Sequence, residues 1–341
     1  MLNGKSILIT GGTGSFGKKM VQIILEHYKP EKLIIFSRDE LKQFEMAQRW
    51  SIEKYPCIRY FLGDVRDKER LARAFYGIDY VIHAAALKQV PAAEYNPSEF
   101  IKTNIIGAMN IVEAAIDQGV KKVVALSTDK ACNPINLYGA TKLCSDKLFT
   151  AAKSVSGYGG PIFSVVRYGN VVGSRGSVVP FFKERAKTGV LPITDPRMTR
   201  FWITLDQGVH FVLKVLEVGK KGEIFVPKIP SMKIVDLARA IAPECSHKIV
   251  GIRPGEKIHE TLIGEDEGRN TIEYNECFIV KQTMLEKDLA NGGQPCPEGF
   301  KYTSNNNTDT ISIEELHKVL EQIADDYSIE SARWAMDDIV K

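Results

Sequence analysis

Short apolar runs that alternate with longer amphipathic segments constrain the fold of this chain more than any other feature. Each run is nearly continuous in apolar residues, which is typical of strands buried on both faces of a sheet. The five runs of the first half are Ser6–Thr10, Lys32–Ser37, Arg59–Leu62, Tyr80–Ala85 and Lys122–Ser127. Strands that alternate with helices in this way predict an α/β fold with a doubly wound parallel sheet. The carboxyl ends of such strands share one edge of the sheet, where ligands bind.

A glycine-rich turn follows the first of these runs and opens a helical segment. The stretch ITGGTGSFG (9–17) contains Gly12-x-Gly14-x-x-Gly17, with a further glycine at Gly11. Glycine at these places allows a tight turn, close approach of the backbone to a pyrophosphate, and close packing of helix on strand. The helix N-terminus adds unpaired N–H groups and a partial positive charge. The stretch therefore predicts a Rossmann-type dinucleotide site, and the alternative is a glycine-rich turn without a ligand.

The residues after the second run bear on which dinucleotide binds. An acidic residue there favours NAD by holding the ribose hydroxyls, whereas an arginine suits the 2′-phosphate of NADP. In Ser37-Arg38-Asp39-Glu40 the arginine comes first, so the sequence favours NADP, and Asp39 keeps NAD open. The alternative for Arg38 is a solvated loop charge.

Residues at the ends of the next two runs extend the predicted cofactor site. Asp64 can accept from the adenine amino group while Val65 contacts the ring, and the alternative for Asp64 is a carboxylate that caps the next helix. His83, inside the fourth run, is predicted to be a satisfied core histidine. Asn104 is predicted to be either buried and hydrogen-bonded or near the nicotinamide. The predicted cofactor-binding residues are Gly11, Thr13, Gly14, Ser15, Phe16, Gly17, Ser37, Arg38, Asp39, Lys42, Asp64, Val65, Ala84, Ala85, Ala86, Lys88, Asn104, Tyr138 and Lys142.

A tyrosine and a lysine after the fifth run supply a reacting group. Tyr138 and Lys142 are four residues apart, so on a helix they share a face. A phenol has a pKa of about 10 in water. A nearby ammonium and the charge of an oxidised nicotinamide favour the phenolate. A phenolate can take the proton of an alcohol while a hydride leaves its carbon.

Together, GGTGSFG, STDK (127–130) and YGATK (138–142) resemble the extended short-chain dehydrogenase/reductase superfamily over roughly the first 260 residues. Further stretches resemble one family in it, the inverting UDP-N-acetylglucosamine 4,6-dehydratases of bacterial pseudaminic acid (nonulosonate) synthesis. Capsule-pathway relatives share much of the pattern, but some lack the tyrosine, so Tyr138 favours the pseudaminate branch. The further stretches are SRDE (37–40), GDVRD (63–67), AAALKQVP (84–91), KTNIIG (102–107), RYGNVVGSRGSVVP (167–180), TDPRMTRFW (194–202) and RPGEK (253–257).

The resemblance implies a reaction without net redox change on a bound nucleotide sugar. NADP⁺ oxidises C4, and the C4 ketone acidifies the C5 proton. A base removes that proton while water leaves C6. Hydride then returns to C6 and a proton to the other face of C5, so C5 is inverted. In this scheme Tyr138 accepts the C4 hydroxyl proton and Lys142 supports it.

The same resemblance gives Asp129 and Lys130 the two remaining duties. Asp129 is the acid for the departing C6 hydroxyl and Lys130, neutral through burial, is the base for C5. Neighbours that couple can exchange these duties. Thr128 hydrogen-bonds the C4 oxygen. The alternative is that Asp129 and Lys130 are a solvated pair after a strand.

The later stretches are expected to bind the sugar nucleotide, UDP-N-acetylglucosamine. By resemblance, Arg200 and Arg253 clamp the diphosphate and Glu256 takes a ribose hydroxyl. The amide of Asn170 and the backbone that follows it offer donors to a diphosphate or an acetamido group, and Arg175 offers a phosphate contact. The predicted substrate-binding residues are Lys88, Asn170, Arg175, Gly176, Ser177, Val178, Thr194, Arg200, Arg253 and Glu256.

Two other functions fit part of the pattern. A UDP-hexose 4-epimerase shares the fold, the cofactor, Tyr138 and Lys142, but it eliminates no water and needs no acid–base pair at 129–130. A module that senses NADP(H) without catalysis needs neither Tyr138 nor Asp129. Retaining 4,6-dehydratases are expected to carry Asp-Glu at 129–130, so Lys130 argues against them.

The length of 341 residues predicts one large domain and a smaller one. Residues 1–170 are predicted to form the NADP-binding Rossmann domain, to which later segments return, and 171–290 mainly a smaller α/β substrate-binding domain. Residues 291–341 are predicted to be a linker followed by a helix. The stretch 291–310, rich in Gly, Pro and Asn, is expected to be exposed. Ser312 and Glu315 have the spacing of a capping box.

Composition limits the partners. Lys and Arg number 45 against 42 Asp and Glu, a balance too even to argue for nucleic acid. The start MLNGKSILITGG is not a signal peptide, and no run approaches the ~18 apolar residues of a membrane helix. The six cysteines form no CxxC pair or zinc spacing, and HETLI is not HExxH, so no metal is expected. Reduced thiols in the cytoplasm and a homo-oligomer (a dimer or higher), by analogy with the family, complete the prediction.

Overall fold

A computed structural model of the chain describes residues 1–172, 178–283 and 292–321. Contacts divide the chain into two compact units, each built from three segments. Unit 1 comprises Met1–Gly169, Asp206–Lys228 and Thr261–Thr303. Unit 2 comprises Asn170–Leu205, Ile229–Glu260 and Ser304–Lys341. The functions assigned to the domains from the sequence stay predictions.

Unit 1 is built on a ten-stranded sheet. Its strands are β1 (Ser6–Thr10), β2 (Lys32–Ser37), β3 (Ile58–Leu62), β4 (Tyr80–His83), β5 (Lys122–Thr128), β6 (Ile162–Tyr168), β10 (Glu223–Pro227), β14 (Thr271–Glu273), β15 (Cys277–Val280) and β16 (Gln294–Pro295). The order across the sheet is β16-β14-β15-β10-β6-β5-β4-β1-β2-β3. All pairings from β3 to β10 are parallel, and those of β15, β14 and β16 are antiparallel. The predicted doubly wound Rossmann-type sheet is confirmed.

Helices cover both faces of this sheet, as the burial of its central strands requires. Ile7, Leu8 and Ile9 of β1 have no exposed surface. The helices of unit 1 are α1 (Ser15–His27), α2 (Glu40–Arg49), α3 (Lys68–Ala74), α4 (Val90–Tyr95), α5 (Pro97–Phe100), a π-helix (Ile101–Ile106), α6 (Gly107–Asp117), a 3₁₀ turn (Asp129–Ala131), α7 (Leu137–Val155), α9 (Leu205–Val218) and α11 (Glu265–Gly268).

Unit 2 contains two small sheets around a core of its own. Their strands are β7 (Asn170–Val172), β8 (Val190–Ile193), β9 (Thr199–Thr204), β11 (Ser231–Lys233) and β12 (Ser246–Ile249). β11, β9 and β7 form one sheet, and β12 pairs with β8 in the other. Helices α8 (Val178–Ala186) and α10 (Ile234–Ile241) pack on them, and Phe182, Trp202 and Leu237 lie in the core.

The segment expected to be an exposed linker is partly structured. Gln294–Pro295 pairs with β14, and β17 (Tyr302–Thr303) pairs with β13 (Thr261–Ile263) in a separate small sheet of unit 1. Tyr302 is buried, which the polar composition of the stretch concealed. The predicted capping box is confirmed, because Ser312 Oγ accepts from the Glu315 amide at 3.1 Å and the Glu315 carboxylate accepts from the Ser312 amide at 2.9 Å.

No helix in the described ranges combines the length and apolar character needed to cross a membrane. Within the same ranges, no three His, Cys, Asp or Glu side chains are grouped so that they could hold a metal ion. The six cysteines are free.

Candidate active site

The glycine-rich turn forms a cradle whose backbone leaves no room for side chains. Gly11 has φ +65°, and a Cβ there would lie 2.8 Å from the amide nitrogen of Ala85. A Cβ on Gly17 would lie 2.4 Å from the carbonyl oxygen of Gly12. Helix α1 begins at Ser15, and its first turn (Ser15, Phe16 and Gly17) carries no carboxylate to oppose the positive end of the helix dipole. This geometry suits the pyrophosphate of a dinucleotide.

The loop after β4 is held beside this cradle by Asn104. Its Oδ1 accepts from the Leu87 amide at 2.9 Å, and its Nδ2 donates to the Leu87 carbonyl at 2.9 Å and to Thr141 Oγ1 at 3.0 Å. Of the two alternatives for Asn104, the structure shows the buried and hydrogen-bonded one. The residue lies in the π-helix, a form that often marks functional sites. Asn104 therefore ties the loop of Ala84–Ala86 to helix α7.

Polar residues after β2 line the predicted ribose end. Thr13 Oγ1 lies 2.8 Å from Ser37 Oγ. Asp39 is the N-cap of α2 and accepts from the Lys42 amide at 3.0 Å and from the Lys42 ammonium. The Arg38 side chain is 55% exposed and lies 3.6 Å from the Asp64 carboxylate. The Asp39 carboxylate is thus engaged in its own helix, whereas the Arg38 guanidinium is open to solvent.

Two arginines, Arg66 and Arg38, lie against the Asp64 carboxylate. Burial raises the pKa of this carboxyl, but hydrogen bonds from Arg66 and the charges of Arg66 and Arg38 outweigh burial, so the pKa lies below its ordinary value. Asp64 does not cap α3, since Asp67 accepts from the Arg70 amide there. Val65 is buried against Gly107 at the start of α6. Adenine contacts of Asp64 and Val65 stay a prediction.

Helix α7 places Tyr138 and Lys142 at the carboxyl edge of the sheet. Asn136 caps the helix by accepting from the Gly139 amide at 2.8 Å. Tyr138 and Lys142 are both buried, with 9% and 4% of their surface exposed. Lys142 Nζ donates to the carbonyl oxygen of Leu126 in β5 at 2.8 Å. The lysine is therefore anchored to the strand that leads into residues 128–130.

The protein raises the pKa of Tyr138 to about 12, chiefly through burial. The charge of Lys130 and a hydrogen bond with Thr128 act in the opposite direction. Burial lowers the pKa of Lys142, partly offset by the charge of Asp146. Lys130 and Thr128 are thus neighbours that lower the pKa of Tyr138, and the support of Tyr138 by Lys142 stays a prediction.

Thr128, Asp129 and Lys130 converge next to this tyrosine. Asp129 has no exposed surface, and its Oδ1 accepts from Thr128 Oγ1 at 2.8 Å. Lys130 Nζ lies 2.9 Å from the same carboxylate. Because Asp129 is fully buried, the two charges are not a solvated pair after a strand. A proton can pass directly between the two side chains at this distance.

Behind this centre lies a buried charge cluster that the sequence did not suggest. Arg167 of β6 bridges Asp146 of α7 and Glu267 of α11, with N–O distances between 2.7 and 3.1 Å. Ser127 Oγ donates to Asp146 Oδ2 at 2.8 Å. The partners are 21 and 100 residues apart in the chain, so no local spacing could reveal them. Only the position of Asp146, four residues after Lys142, offered a signal.

The predicted substrate-binding residues are spread over both units. Lys88 lies exposed in the loop between β4 and α4 of unit 1. In unit 2, Arg200 is buried and donates to the carbonyl oxygens of Thr199, Lys257 and Ile258. Further residues in unit 2 are Asn170 at the start of β7, Val178 at the start of α8, half-buried Thr194 and Glu256, and exposed Arg253. Those outside the described residues are Arg175, Gly176 and Ser177.

Arg200 therefore organises the backbone of the RPGEK stretch. Its guanidinium lies 3.6 Å from the Glu260 carboxylate, and the Arg253 amide lies 3.3 Å from the Glu256 carboxylate. The diphosphate clamp by Arg200 and Arg253 stays a prediction.

A cavity of about 450 Å³ in unit 2 was not expected from the sequence. Its basic lining consists of Arg197, Lys233 and His259, and Asn305 and Asn307 add amide donors. Burial and the charges of Arg200 and Arg197 lower the pKa of His259. The Arg197 guanidinium is already paired with the Asp195 carboxylate, at 2.8 Å.

Comparison with known proteins places this site in a family. A sequence profile described as polysaccharide biosynthesis protein matches residues 7–282. A protein of Campylobacter jejuni named UDP-N-acetylglucosamine 4,6-dehydratase (inverting) is 58% identical over 94% of this chain and 98% of its own. The chain belongs to the family of inverting UDP-N-acetylglucosamine 4,6-dehydratases. The resemblance seen in the sequence motifs is thereby confirmed.

Two further proteins that are similar to this chain carry different names. A protein of Rickettsia conorii named UDP-glucose 4-epimerase is 40% identical over 94% of this chain and 96% of its own. The X-ray structure of Pen from Bacillus thuringiensis superimposes with a TM-score of 0.86 at 37% identity, over 94% of this chain and 98% of that one. One fold therefore carries more than one reaction on nucleotide sugars among these relatives.

Proposed function

We propose that the protein is a lyase that converts UDP-N-acetylglucosamine into UDP-2-acetamido-2,6-dideoxy-L-arabino-hexos-4-ulose, inverting C5. The observation that carries this proposal is the buried Asp129–Lys130 pair beside Tyr138, in a chain 58% identical to a protein named for this reaction. A reaction that removes water needs an acid and a base in addition to the group that handles the C4 hydroxyl.

A nicotinamide dinucleotide fits the cradle, because added side chains at Gly11 and Gly17 would collide with backbone. When bound there, the nicotinamide would supply a hydride acceptor for C4 of the sugar and a hydride donor for C6. We infer that the dinucleotide is NADP, since the Arg38 guanidinium is largely exposed while the Asp39 carboxylate caps α2. The predicted cofactor-binding residues all belong to unit 1.

Tyr138 handles the proton of the C4 hydroxyl. Its hydrogen bond with Thr128 helps to hold a phenolate in a buried site, and this support does not depend on Lys130, which must be neutral to act as the base at C5. Because Thr128 is hydrogen-bonded to Tyr138, we expect both to share the C4 oxygen of the sugar. Lys142 donates to the Leu126 carbonyl and so holds the N-terminal part of α7 against β5. Its ammonium group adds positive charge near Tyr138.

Asp129 and Lys130 handle C5 and C6. Lys130 removes the C5 proton, and Asp129 donates a proton to the C6 oxygen as water leaves. Their 2.9 Å contact lets the proton taken at C5 reach the carboxyl group that needs one at C6. The proton from C5 leaves with the water, so C5 is inverted when a different proton, supplied from solvent, adds to its opposite face.

The residues of unit 2 complete the proposal. Arg200, Arg253 and Glu256 bind the diphosphate and ribose of the sugar nucleotide, with Asn170 and Thr194 near the sugar. Lys88, a residue of unit 1, is proposed to contact the substrate as well. The segment Arg175–Val178 contributes further donors. The reaction is the first step of pseudaminic acid biosynthesis, and it takes place in the cytoplasm. The pseudaminic acid serves flagellin glycosylation. The six free cysteines suit a reducing compartment.

A homo-oligomer is also part of the proposal. The outward side of the π-helix and α6 exposes Ile101, Ile106 and Met109, each about 40% exposed. We call these three exposed apolar side chains the α6 stripe. A second copy of the chain that covers this stripe would remove it from water.

The relative named UDP-glucose 4-epimerase supports a second candidate function. At 40% identity it shares most of the fold, and epimerisation would use Tyr138 and Lys142 alone. The buried Asp129–Lys130 pair favours dehydration over this candidate.

Incubation of the protein with NADP⁺ and UDP-N-acetylglucosamine in deuterated water, followed by NMR, tests the proposal. A 6-deoxy-4-keto sugar with deuterium at an inverted C5 is expected. UDP-N-acetylgalactosamine would instead identify an epimerase, and an unchanged sugar would contradict both functions. Lys130→Ala should stop C5 exchange and still bind NADP⁺, so normal turnover in that variant would contradict the role of Lys130.

A further inference from the structure

Arg167 is a fully buried guanidinium between two carboxylates. Its Nη1 donates to Glu267 Oε2 at 2.7 Å and to the Leu262 carbonyl at 3.0 Å. Its Nη2 donates to Glu267 Oε1 at 3.0 Å and to Asp146 Oδ2 at 3.1 Å. Buried ion pairs cost desolvation and rarely add net stability over apolar residues. A role beyond stability is therefore a reasonable expectation for this cluster.

The two carboxylates reach opposite ends of the segment that carries the acid–base pair. Ser127, two residues before Asp129, donates to Asp146 at 2.8 Å. Cys132, two residues after Lys130, donates its thiol proton to Glu267 Oε2 at 3.5 Å. Arg167 thus joins the anchors at the start and at the end of one short stretch, 127–132.

The residue that follows this stretch, Asn133, has a strained backbone and packs against the turn that Glu267 holds. Asn133 has φ +47°, which a residue other than glycine adopts at a cost and keeps only where its surroundings impose it. A Cβ on Gly264 would lie 3.3 Å from Asn133 Nδ2, so this turn packs closely on Asn133. The Gly264 amide lies 3.4 Å from Glu267 Oε2. Glu267 therefore organises both Cys132 and the turn against Asn133.

Asp146, the other carboxylate of the cluster, lies on helix α7. Asp146 lies one turn after Lys142 on α7, the helix that carries Tyr138. The cluster therefore has two arms. The Asp146 arm links β5 to α7, and the Glu267 arm reaches only the end of the 127–132 stretch.

We propose that Arg167, acting through Asp146 and Glu267, positions the Asp129–Lys130 pair relative to Tyr138, with Glu267 as the arm specific to the elimination half-reaction. The inference rests on the proposed function, in which Tyr138 serves C4 oxidation and Asp129–Lys130 serve loss of water. Loss of the Glu267 arm leaves C4 oxidation in place and slows the steps at C5 and C6. Arg167, Asp146 and Glu267 are positioning residues, since they act on the 127–132 stretch through Ser127 and Cys132.

Glu267→Gln tests this arm because it keeps the shape of the side chain and removes its charge. Although burial raises it, the charge of Arg167 brings the pKa of Glu267 below its ordinary value, so the wild-type group is an anion at neutral pH. Glu223→Gln is the matched control. Glu223 is another buried carboxylate of unit 1, paired with Lys281 at 2.8 Å, and it has no contact with the 127–132 stretch among the described residues.

The first readout separates the two half-reactions. With NADP⁺ and UDP-N-acetylglucosamine, stopped-flow absorbance follows the transient reduced nicotinamide, and NMR in deuterated water follows C5 exchange. In Glu267→Gln we expect the transient to form within about twofold of the wild-type rate and to decay roughly tenfold more slowly, with C5 exchange reduced by roughly the same factor. Cys132→Ala should shift the balance in the same direction by a smaller factor. Glu223→Gln should leave both rates unchanged.

The second readout needs no substrate. Hydrogen exchange followed by mass spectrometry should show amides of 127–133 exchanging about tenfold faster in Glu267→Gln, and unchanged in Glu223→Gln. Equal slowing of both half-reactions, or the same exchange pattern in the control, would overturn the positioning role. A wild-type protein that leaves the sugar unchanged would refute the proposed function, and the exchange result would still support or overturn the coupling of Glu267 to 127–133.

Discussion

Gly139 shows how closely the reacting residues are packed. A Cβ at this position would lie 2.2 Å from the carbonyl oxygen of Lys130 and 3.0 Å from Cβ of Pro134. The nearest atom belongs to the backbone, so it cannot move aside as a flexible side chain can. Only a glycine lets the first turn of α7 approach the Asp129–Lys130 segment in this way.

Gly139→Ala should therefore displace Lys130 relative to Tyr138. We expect kcat to fall by roughly 100-fold, because a shift of about 1 Å in a catalytic group has an effect of that size. Steady-state kinetics measure the loss, and NADP⁺ titration should show cofactor affinity within about threefold of wild type. An alanine variant with wild-type kcat would show that the segment can move without consequence.

His83 gives the stability of the fold a specific dependence on pH. Burial lowers its pKa to about 3, with a further contribution from the charge of Lys142, whereas an unfolded chain binds a proton near pH 6.5. Between those values only the unfolded state is protonated. Stability due to this residue is thus complete above about pH 6.5 and is lost as the pH falls, by up to about 1.4 kcal/mol per pH unit.

His83→Gln should make that slope shallower between about pH 6.5 and 5, since glutamine can still bond Thr10 and binds no proton. Urea unfolding at several pH values measures the difference. Replacement of His27, an exposed histidine of α1, is the control and should keep the wild-type slope. Parallel slopes for wild type and His83→Gln would contradict the assignment.

Residues with a local signature could be predicted from the sequence, and those joined by distant contacts could not. The four-residue spacing of Tyr138 and Lys142 placed both on α7. The same reasoning missed Arg167 and Glu267, which meet across 100 residues of chain. It also gave no sign that Lys130 lies close enough to act on the pKa of Tyr138.

Strands and helices with a clear local pattern could also be predicted, and the differences lie where a strand ends or a helix changes its type. Strand β4 ends at His83, two residues earlier than the apolar run suggested, because Ala84 and Ala85 turn into the loop held by Asn104. The helical part of the chain from Pro97 to Asp117 is divided into α5, the π-helix and α6. Hydrophobic periodicity does not distinguish a π-helical turn from an α-helical one, so this division could not be predicted.

The cap of α7 is the element most open to a stability test. Asn136→Ala removes the acceptor for the Gly139 amide and should lower the free energy of unfolding by about 1 kcal/mol. Because Tyr138 lies in the first turn, kcat should fall as well, by a few-fold. Asn136→Asp keeps an acceptor and should restore most of both. Chemical denaturation and steady-state kinetics on the three proteins decide the matter, and equal stability of all three would count against the cap.

At the scale of the whole molecule, the α6 stripe predicts assembly. Replacing Ile106 and Met109 by lysine places two charges where a second copy is expected, so the oligomer should dissociate into smaller species. Sedimentation velocity measures the change. Phe44→Lys on α2 is the control, because Phe44 is 63% exposed and lies outside the stripe. An unchanged sedimentation coefficient in the stripe variant would place the interface elsewhere.

The interleaving of the two units has a consequence for how the chain is made. Strand β6 ends at Tyr168, but its neighbour β10 begins at Glu223, beyond a whole segment of unit 2. At about 5–20 residues per second, a ribosome leaves that strand edge open for roughly 3–11 s. An open edge of buried, apolar residues is a template for pairing with another chain. Nascent chains of this protein are therefore most exposed to misassembly in that interval, before the sheet can extend past β6.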